Sequence, residues 1–171
     1  MVQQMAMKIL FKDMKKIAFI FLLIVSFSVQ AQTIKKIKVT ELESIIAASN
    51  GPFIVNFWAT FCIPCIEEIP HFQKLAAKYE KEGLKLLLVS LDMEDDYNKV
   101  GPFAKKRGFT APILWLDESN ADYFIPRIDE KWSGAIPATL FINKKTGYRK
   151  FIEEQVSEEE LEKEIMAILK N

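Results

Sequence analysis

The sequence predicts an α/β fold in which helices cover both sides of a central mixed β-sheet. Almost continuously apolar runs of strand length alternate along the chain with segments whose apolar residues recur every three to four positions. Near the C-terminus, two strand-like runs follow each other across a short turn, which predicts an antiparallel hairpin beside the other strands. With 171 residues, 50% of them hydrophobic, the chain is long enough for one domain with a buried core.

The first thirty residues have the layout of an export signal. Two lysines precede an apolar run over residues 17–29, and small and polar residues follow it. Val29 and Ala31 have the spacing that a signal peptidase reads. We therefore expect residues 1–31 to be a signal peptide and residues 32–171 to form a single domain. The alternative is a retained N-terminal membrane anchor, for which the apolar run is short.

The net charge of the chain and its expected cellular compartment limit the kinds of molecule that the protein is expected to bind. Lysine plus arginine and aspartate plus glutamate both total 23, so the net charge is zero. Without a basic surface, no nucleic-acid partner is expected. An exported domain would lie in the periplasm or the cell envelope, where glutathione does not keep thiols reduced.

The sequence of the first half of the domain predicts a helix, then a buried strand, then a longer helix. Thr40 and Glu43 have the spacing of a capping box, and a later Asn-Gly pair ends the helix that they would begin. Residues 52–58, "PFIVNFW", predict a strand that is buried on both faces. From Cys62 onward, apolar residues recur at helical spacing and continue beyond Pro70, so we expect this proline to kink the helix rather than end it.

The second half continues the alternation and closes with the hairpin and a helix. Ser157 and Glu160 form a second capping-box pattern, which predicts the start of the final helix. The remaining expected elements are strands at 84–92, 111–117, 138–143 and 148–153 and helices at 94–107 and 120–128.

The two cysteines of the chain, Cys62 and Cys65, stand two residues apart in "FWATFCIPC". A structural zinc site needs four ligands, and the chain offers two cysteines and a single histidine, His71, which we expect at the surface. Covalent haem attachment needs a histidine directly after the second cysteine, where this chain has Ile66. We therefore expect neither a metal nor a haem at this pair.

Two functions remain for the pair. A structural disulfide would close a loop of few residues and would therefore remove little entropy from the unfolded chain. Thiol-disulfide exchange is favoured because Cys62 would lie in the first helical turn, where free N–H groups and the helix dipole stabilise a thiolate. Cys65, on the buried stripe, would then attack the mixed disulfide at Cys62 and release the product.

The motifs "VNFWATFCIPC", "EEIP" and "GAIPATLFIN" together resemble the TlpA-like branch of the thioredoxin family over roughly residues 33–171. The resemblance implies a thioredoxin fold with the insert typical of TlpA-like proteins. It implies an extracytoplasmic thiol-disulfide oxidoreductase that needs no dissociable cofactor, often a reductant in cytochrome c maturation. The implied partners are protein thiol or disulfide clients and a membrane or periplasmic thiol donor.

The resemblance also implies residues that bind the client protein. Pro137 matches the cis-proline of the family, which lies against the cysteine pair, and the backbone of Ile136 would meet a client strand. The alternative for Pro137 is an ordinary proline at a strand entry. Trp58 and Trp132 are expected either as aromatic walls of the site or as core residues.

Glu68 matches an active-site acid in several relatives. It follows Cys65 by three residues, so it would lie on the flank of that cysteine and exchange a proton with it. The alternative is a solvated helix carboxylate, since glutamate is rarely buried. Asn56 stands where many thioredoxins have a buried aspartate, and because an amide carries no proton, proton transfer would fall to Glu68 or to water.

Two rival functions stay open. A thiol peroxidase would need a threonine and arginine cradle around one peroxidatic cysteine, and no segment of the sequence matches it. A non-catalytic binding or chaperone-like module would use the same proline face with the cysteines locked as an inert disulfide.

Overall fold

The sheet is built around a central strand that is buried on both faces. In the computed structural model, which describes residues 34–170, this strand is β2 (Pro52–Trp58), and every residue after Pro52 is buried. It pairs in parallel with β3 (Lys85–Ser90) and antiparallel with β5 (Ala138–Asn143). The strand order is β1-β4-β3-β2-β5-β6, with β1 at Lys35–Ile37, β4 at Ile113–Leu116 and β6 at Tyr148–Ile152.

Within residues 34–170, five helices cover the two faces of this sheet. They are α1 (Val39–Ala48), α2 (Ile63–Lys78), α3 (Tyr97–Arg107), α4 (Ala121–Ile128) and α5 (Glu158–Leu169), and 3-10 turns occur at Glu80–Glu82 and Glu94–Asp96. Apolar residues of α2, α3 and α5 pack on one face, and those of α1 and α4 pack on the other. The predicted α/β class with a mixed sheet is confirmed, including the antiparallel hairpin of β5 and β6.

Alternation along β2 decides which side chains reach each face. Ile54 and Trp58 belong to the core on the side of α2, whereas Phe53, Val55 and Phe57 belong to the core on the side of α1. This is the two-residue period of a strand. Asn56, midway between Ile54 and Trp58, therefore also points toward α2.

Helix α2 begins directly after Cys62 and passes through Pro70 without ending. The ring of Pro70 is exposed, while Phe72 and Leu75 beyond it are buried against the sheet. Burial of these two residues holds the second half of the helix in place, which confirms the prediction that the helix continues past Pro70.

The predicted capping box at Thr40 and Glu43 is wrong. With Thr40 as N-cap the helix would begin at Glu41, but α1 begins two residues earlier, at Val39, and its N-cap residue Lys38 makes no side-chain cap hydrogen bond. Val39 is fully buried, and its N–H donates to the Glu118 carboxylate at 2.9 Å. A carboxylate from a distant part of the sequence therefore caps this helix, and no pattern in the sequence near the start of the helix predicts it.

Strand β1 was not predicted from the sequence. Only its last residue, Ile37, is buried, and its two lysines are exposed. Three residues at the sheet edge give too little alternation for a sequence pattern. The predicted signal peptide lies outside the described residues, and within residues 34–170 no helix is long and apolar enough to cross a membrane.

The start of α5 follows its local pattern. The Ser157 hydroxyl accepts the Glu160 N–H, and the Glu160 carboxylate accepts the Ser157 N–H, so the predicted capping box is confirmed. Replacing Ser157 with alanine is expected to lower the free energy of unfolding by about 1 kcal/mol, because the Glu160 N–H loses its acceptor. Urea denaturation followed by circular dichroism measures the loss.

Ser44→Ala is the matched control for this substitution. Its hydroxyl donates to the Thr40 carbonyl within α1, and that carbonyl is already an acceptor in the helix. Equal losses for the two variants would contradict a capping role for Ser157.

Candidate functional site

The two cysteines form a disulfide at the N-terminus of α2. Cys62 is the N-cap residue, and its sulfur accepts the Cys65 N–H at 3.3 Å. Cys65 is fully buried, whereas Cys62 is 7% exposed. Phe61 and Ile63, on either side of Cys62, are 65% and 67% exposed. Of the two cysteines, Cys62 is therefore the one with some exposed surface, and Cys65 has none.

A buried aspartate fixes the turn that leads into Cys62. The Asp92 carboxylate accepts the Thr60 N–H at 3.0 and 3.1 Å, the Thr60 hydroxyl, and the Ser90 hydroxyl at 2.7 Å. Asp92 is 3% exposed, and such a buried carboxylate needs these donors in place of water. The Cys62 N–H in turn donates to the Ala59 carbonyl at 3.1 Å. The position of Cys62 is thus set from the end of the neighbouring strand β3.

Glu68 is buried beneath the cysteine pair, one helical turn after Cys65. Its side chain is 1% exposed and accepts the Val156 N–H and the Asn56 amide, both at 2.8 Å. Burial raises the pKa of Glu68 from 4.5 to about 7, and the two hydrogen bonds offset part of that rise. The solvated alternative for Glu68 is therefore wrong, and the carboxyl can gain or lose a proton near neutral pH.

Asn56 joins Glu68 to the neighbouring strand β5. Its amide nitrogen donates to Glu68 and, at 2.9 Å, to the Thr139 hydroxyl, while its Oδ1 is buried with no hydrogen-bond partner within residues 34–170. This orientation fits an ionised Glu68. Rotating the amide by half a turn would place Oδ1 against the O–H of a protonated Glu68, so Asn56 suits both forms of the acid.

The loop before β5 carries a cis peptide bond between Ile136 and Pro137, as predicted. Pro137 is buried, and Ile136 is half-buried between the apolar cores of the two sheet faces. Within the described residues, no hydrogen bond involves the backbone N–H or carbonyl of Ile136. This backbone segment is therefore available to pair with another chain.

The two tryptophans do not line the site. Trp58 is fully buried and packs edge-on against Phe109 at 5.3 Å, so it offers no surface to a client. Trp132 packs on the opposite face of the sheet, with its ring 5.0 Å from that of Phe57. The core-packing alternative is correct for both, because each large ring fills space between the sheet and its helices.

His71 lies at the surface, as expected. Its side chain is about two-fifths exposed, and Nδ1 is 2.9 Å from the Glu158 carboxylate. Within residues 34–170, no group of three or more histidine, cysteine, aspartate or glutamate side chains is placed to hold a metal ion.

Comparison with known sequences decides the family. A sequence profile described as the AhpC/TSA family matches residues 23–149, which is more than half of the chain. The chain belongs to the AhpC/TSA family.

Named relatives confirm the resemblance of this AhpC/TSA-family chain to TlpA-like thioredoxins. A thiol-disulfide oxidoreductase ResA of Geobacillus thermodenitrificans is 31% identical over 123 residues, which cover 70% of this chain and 63% of the relative. A thioredoxin-like protein YneN of Bacillus subtilis is 34% identical over 85 residues, covering 48% and 49% of the two chains. The chain thus spans less than two thirds of the length of these relatives.

Solved structures confirm the thioredoxin fold. The thioredoxin-related protein from Neisseria meningitidis serogroup B is 28% identical with a TM-score of 0.61, and the match covers 72% of this chain and 89% of that one. StoA from Bacillus subtilis is 25% identical with a TM-score of 0.53, at 70% and 86% coverage.

Sequence reasoning missed Asp92, Thr60 and Val156 as parts of this AhpC/TSA-family site. Asp92 ends the apolar run of β3, next to the strand that precedes Cys62. The carboxyl ends of adjacent parallel strands meet at one sheet edge, and this rule would have placed Asp92 near Cys62. The contact of Val156 with Glu68 uses a backbone N–H and leaves no signal in the sequence.

The stability of the protein should depend on the ionisation of Glu68. Because its pKa in the fold, about 7, lies above its ordinary value of 4.5, the folded chain keeps a proton that the unfolded chain releases between these pH values. The contribution of Glu68 to the free energy of unfolding should therefore fall by about 3 kcal/mol as pH rises through this window.

Glu68→Gln isolates that contribution. The variant lacks the titrating group, so its free energy of unfolding, measured with urea at several pH values on the oxidised protein, should not show this fall. Glu67→Gln is the control, because Glu67 is the exposed neighbour on the same helix and the variant should keep the wild-type slope. Identical pH slopes in the two variants would refute the raised pKa.

The Thr60 hydroxyl should stabilise the turn before Cys62. Thr60→Val removes one donor from a buried carboxylate, and a hydrogen bond to a charged group contributes roughly 1.5–3 kcal/mol, so a loss of about 2 kcal/mol is expected on urea denaturation. Thr60→Ser keeps the hydroxyl and should lose much less. If serine and valine are equally destabilising, the Asp92 contact is not what stabilises the turn.

Proposed function

We propose that this chain is an exported thiol-disulfide oxidoreductase that reduces protein disulfides outside the cytoplasm through Cys62 and Cys65. The observation that carries the proposal is the asymmetry of the pair, in which Cys62 is reachable at a helix N-terminus and Cys65 is fully buried behind it. A purely structural disulfide gives no reason for this asymmetry. Relatives named thiol-disulfide oxidoreductases support the same reading.

The reaction starts from the dithiol form of the pair. The Cys62 thiolate attacks one sulfur of a client disulfide, and the other client sulfur leaves as a thiolate. Cys65, once deprotonated, attacks the Cys62 sulfur of the mixed disulfide and expels the second client thiolate. Two electrons pass to the client, and the pair ends as the disulfide present in this structure. A thiol donor in the membrane or the periplasm then restores the dithiol, and no dissociable cofactor takes part.

The chain supplies a suitable environment for each cysteine. At the N-cap of α2, Cys62 lies where unpaired N–H groups and the positive end of the helix dipole stabilise its thiolate. Cys65 is buried, so its thiol holds its proton more tightly and needs a base before it attacks. Glu68, one turn below with its pKa near 7, accepts that proton and later returns it to solvent.

A client protein docks on the surface around Cys62. The backbone of Ile136 pairs with an extended client segment, in the manner of a strand added to an edge. The exposed side chains of Phe61 and Ile63 give apolar contacts beside the reacting sulfur. Pro137 lies behind Ile136 and fixes the direction of this segment.

We also propose the direction of electron flow, from this protein to its client, and the compartment in which the protein acts. A reductant in the periplasm or cell envelope, for cytochrome c maturation or general thiol maintenance, fits the predicted export signal in residues 1–31. Its CxxC pair should have a reduction potential nearer about −270 mV than about −120 mV, the values of a reducing and an oxidising member of this class. Equilibration of the pair with glutathione or dithiothreitol buffers measures this potential.

The arginines of the described residues do not support the peroxidase alternative, which needs one of them beside the peroxidatic cysteine. Among the described residues, Arg107 lies over the Phe103 ring, and Arg127 and Arg149 form ion pairs with acidic side chains. These engaged arginines favour thiol exchange with a disulfide over reduction of a peroxide.

Insulin reduction with dithiothreitol as electron donor tests the proposal. The purified domain, residues 32–171, should accelerate the reaction, and Cys62→Ser should return the rate to that of dithiothreitol alone, because the attacking thiolate is gone. Cys65→Ser should keep the first attack and accumulate a mixed disulfide with insulin, visible on a non-reducing gel.

Two results would contradict the oxidoreductase. An unaccelerated reaction with the wild-type domain would favour a binding module with an inert disulfide. Consumption of hydrogen peroxide without insulin reduction would favour the peroxidase.

A further inference from the structure

The segment that joins β6 to α5, residues 153–157, contacts the loop before Pro137. The Glu153 carboxylate accepts the Ser133 N–H at 3.1 Å with each oxygen, the Ala135 N–H at 3.0 Å, and the Ser133 hydroxyl. These hydrogen bonds lower the pKa of Glu153, although burial acts in the opposite direction, so the carboxylate is ionised at neutral pH. One charged side chain thus gathers three donors from a single short loop.

The same joining segment reaches the helix that carries the cysteines. The Gln155 side chain donates to the carbonyl of Pro64, which lies between the two cysteines, at 3.3 Å. The Val156 N–H donates to Glu68 at 2.8 Å. Residues 153–157 therefore connect the active-site helix, on one side, with the loop before Pro137, on the other.

The loop held by Glu153 is anchored from inside by other contacts. Trp132 is buried, and its indole N–H donates to the Ala135 carbonyl at 2.8 Å. At Gly134, φ is 95°, and a Cβ there would lie 2.7 Å from the Ile125 side chain, so the backbone is packed directly on α4. Glu153 adds its hydrogen bonds to this loop from the side opposite these buried contacts.

The hydrogen bonds of Glu153 are not needed to satisfy buried groups. Ser133 and Ala135 are exposed and Glu153 is half-buried, so water can replace any of these partners. Their effect is instead to select one position of the loop among those that water would also permit. Ile136, the next residue, has a backbone N–H and carbonyl that make no hydrogen bond within residues 34–170.

We propose that Glu153 is a positioning residue for protein clients, which fixes the Ser133–Ala135 loop so that the Ile136 backbone is held ready beside Cys62. The inference rests on the proposed function and adds a class of substrate to it. Glu153 matters for clients that offer an extended backbone next to their disulfide. It has no effect on small disulfides, which react at Cys62 without pairing with the loop.

Glu153→Ala, assayed with two substrates, tests this inference. With insulin, KM should rise by at least about fivefold, because without the Glu153 carboxylate the loop has to be ordered during docking. With hydroxyethyl disulfide, and for kcat with insulin, the change should stay within about twofold, since the cysteines and their helix are untouched. Initial rates with dithiothreitol as donor give both constants.

Matched variants separate positioning from general damage. Glu154→Ala changes the exposed neighbour and should leave all constants at wild-type values. Glu153→Gln keeps an acceptor without the charge and should restore part of the KM. Ser133→Ala removes one donor from the opposite side, and its effect on KM should add little to that of Glu153→Ala, since both act on one contact.

Three outcomes would overturn the inference. They are an unchanged insulin KM in Glu153→Ala, equal losses on insulin and on the small disulfide, and full additivity with Ser133→Ala. If Glu153→Ala does not fold, a wild-type KM in Ser133→Ala would overturn it as well. A wild-type domain that reduces neither substrate would instead refute the proposed function, so the two failures are distinguishable.

Discussion

The buried carboxyl of Glu68 joins the segments from which the redox site is built. It extends from the helix that begins at the cysteines, accepts the amide of Asn56 on the central strand, and accepts the Val156 N–H from the segment after the hairpin. These partners are far apart in sequence, and Glu68 makes hydrogen bonds to both of them. A carboxyl at 1% exposure persists only with such partners, so its burial requires the three segments to meet.

That same burial couples structure to chemistry. A pKa of about 7 leaves Glu68 divided between its two protonation states at neutral pH. When the disulfide is reduced, a thiolate at Cys65 and a carboxylate at Glu68 would be like charges one helical turn apart, which disfavours their joint ionisation. In the proposed mechanism one proton would then be shared between acid and thiol, and Asn56, whose buried Oδ1 has no hydrogen-bond partner within residues 34–170, suits either location of the proton.

The parts of this structure that depend on interactions between residues close in sequence could be predicted. The cap of α5 could be predicted because Ser157 and Glu160 satisfy each other within one turn, and the cysteine pair could be assigned because ligand counts and helix position act locally. The start of α1 could not, because its cap comes from Glu118, 79 positions away from Val39. The role of Trp58 could not be predicted for a related reason. A tryptophan ring can either line a binding site or fill the hydrophobic core, and only the three-dimensional packing around it distinguishes the two. Asp92 and Glu153 were missed because their roles consist of contacts between loops.

The two carboxylates missed from the sequence hold two different segments, Asp92 the turn before Cys62 and Glu153 the loop before Pro137, and their partners differ in exposure. Asp92 is 3% exposed and Ser90 is fully buried, so losing the carboxylate would leave the buried Ser90 hydroxyl without this acceptor. The donors to Glu153 lie at the surface, where water replaces a lost partner at low cost. The turn before Cys62 is thus tied to a buried carboxylate. The loop before Pro137 is held through exposed groups, so Glu153 sets the position of this loop without being needed to satisfy buried polar groups.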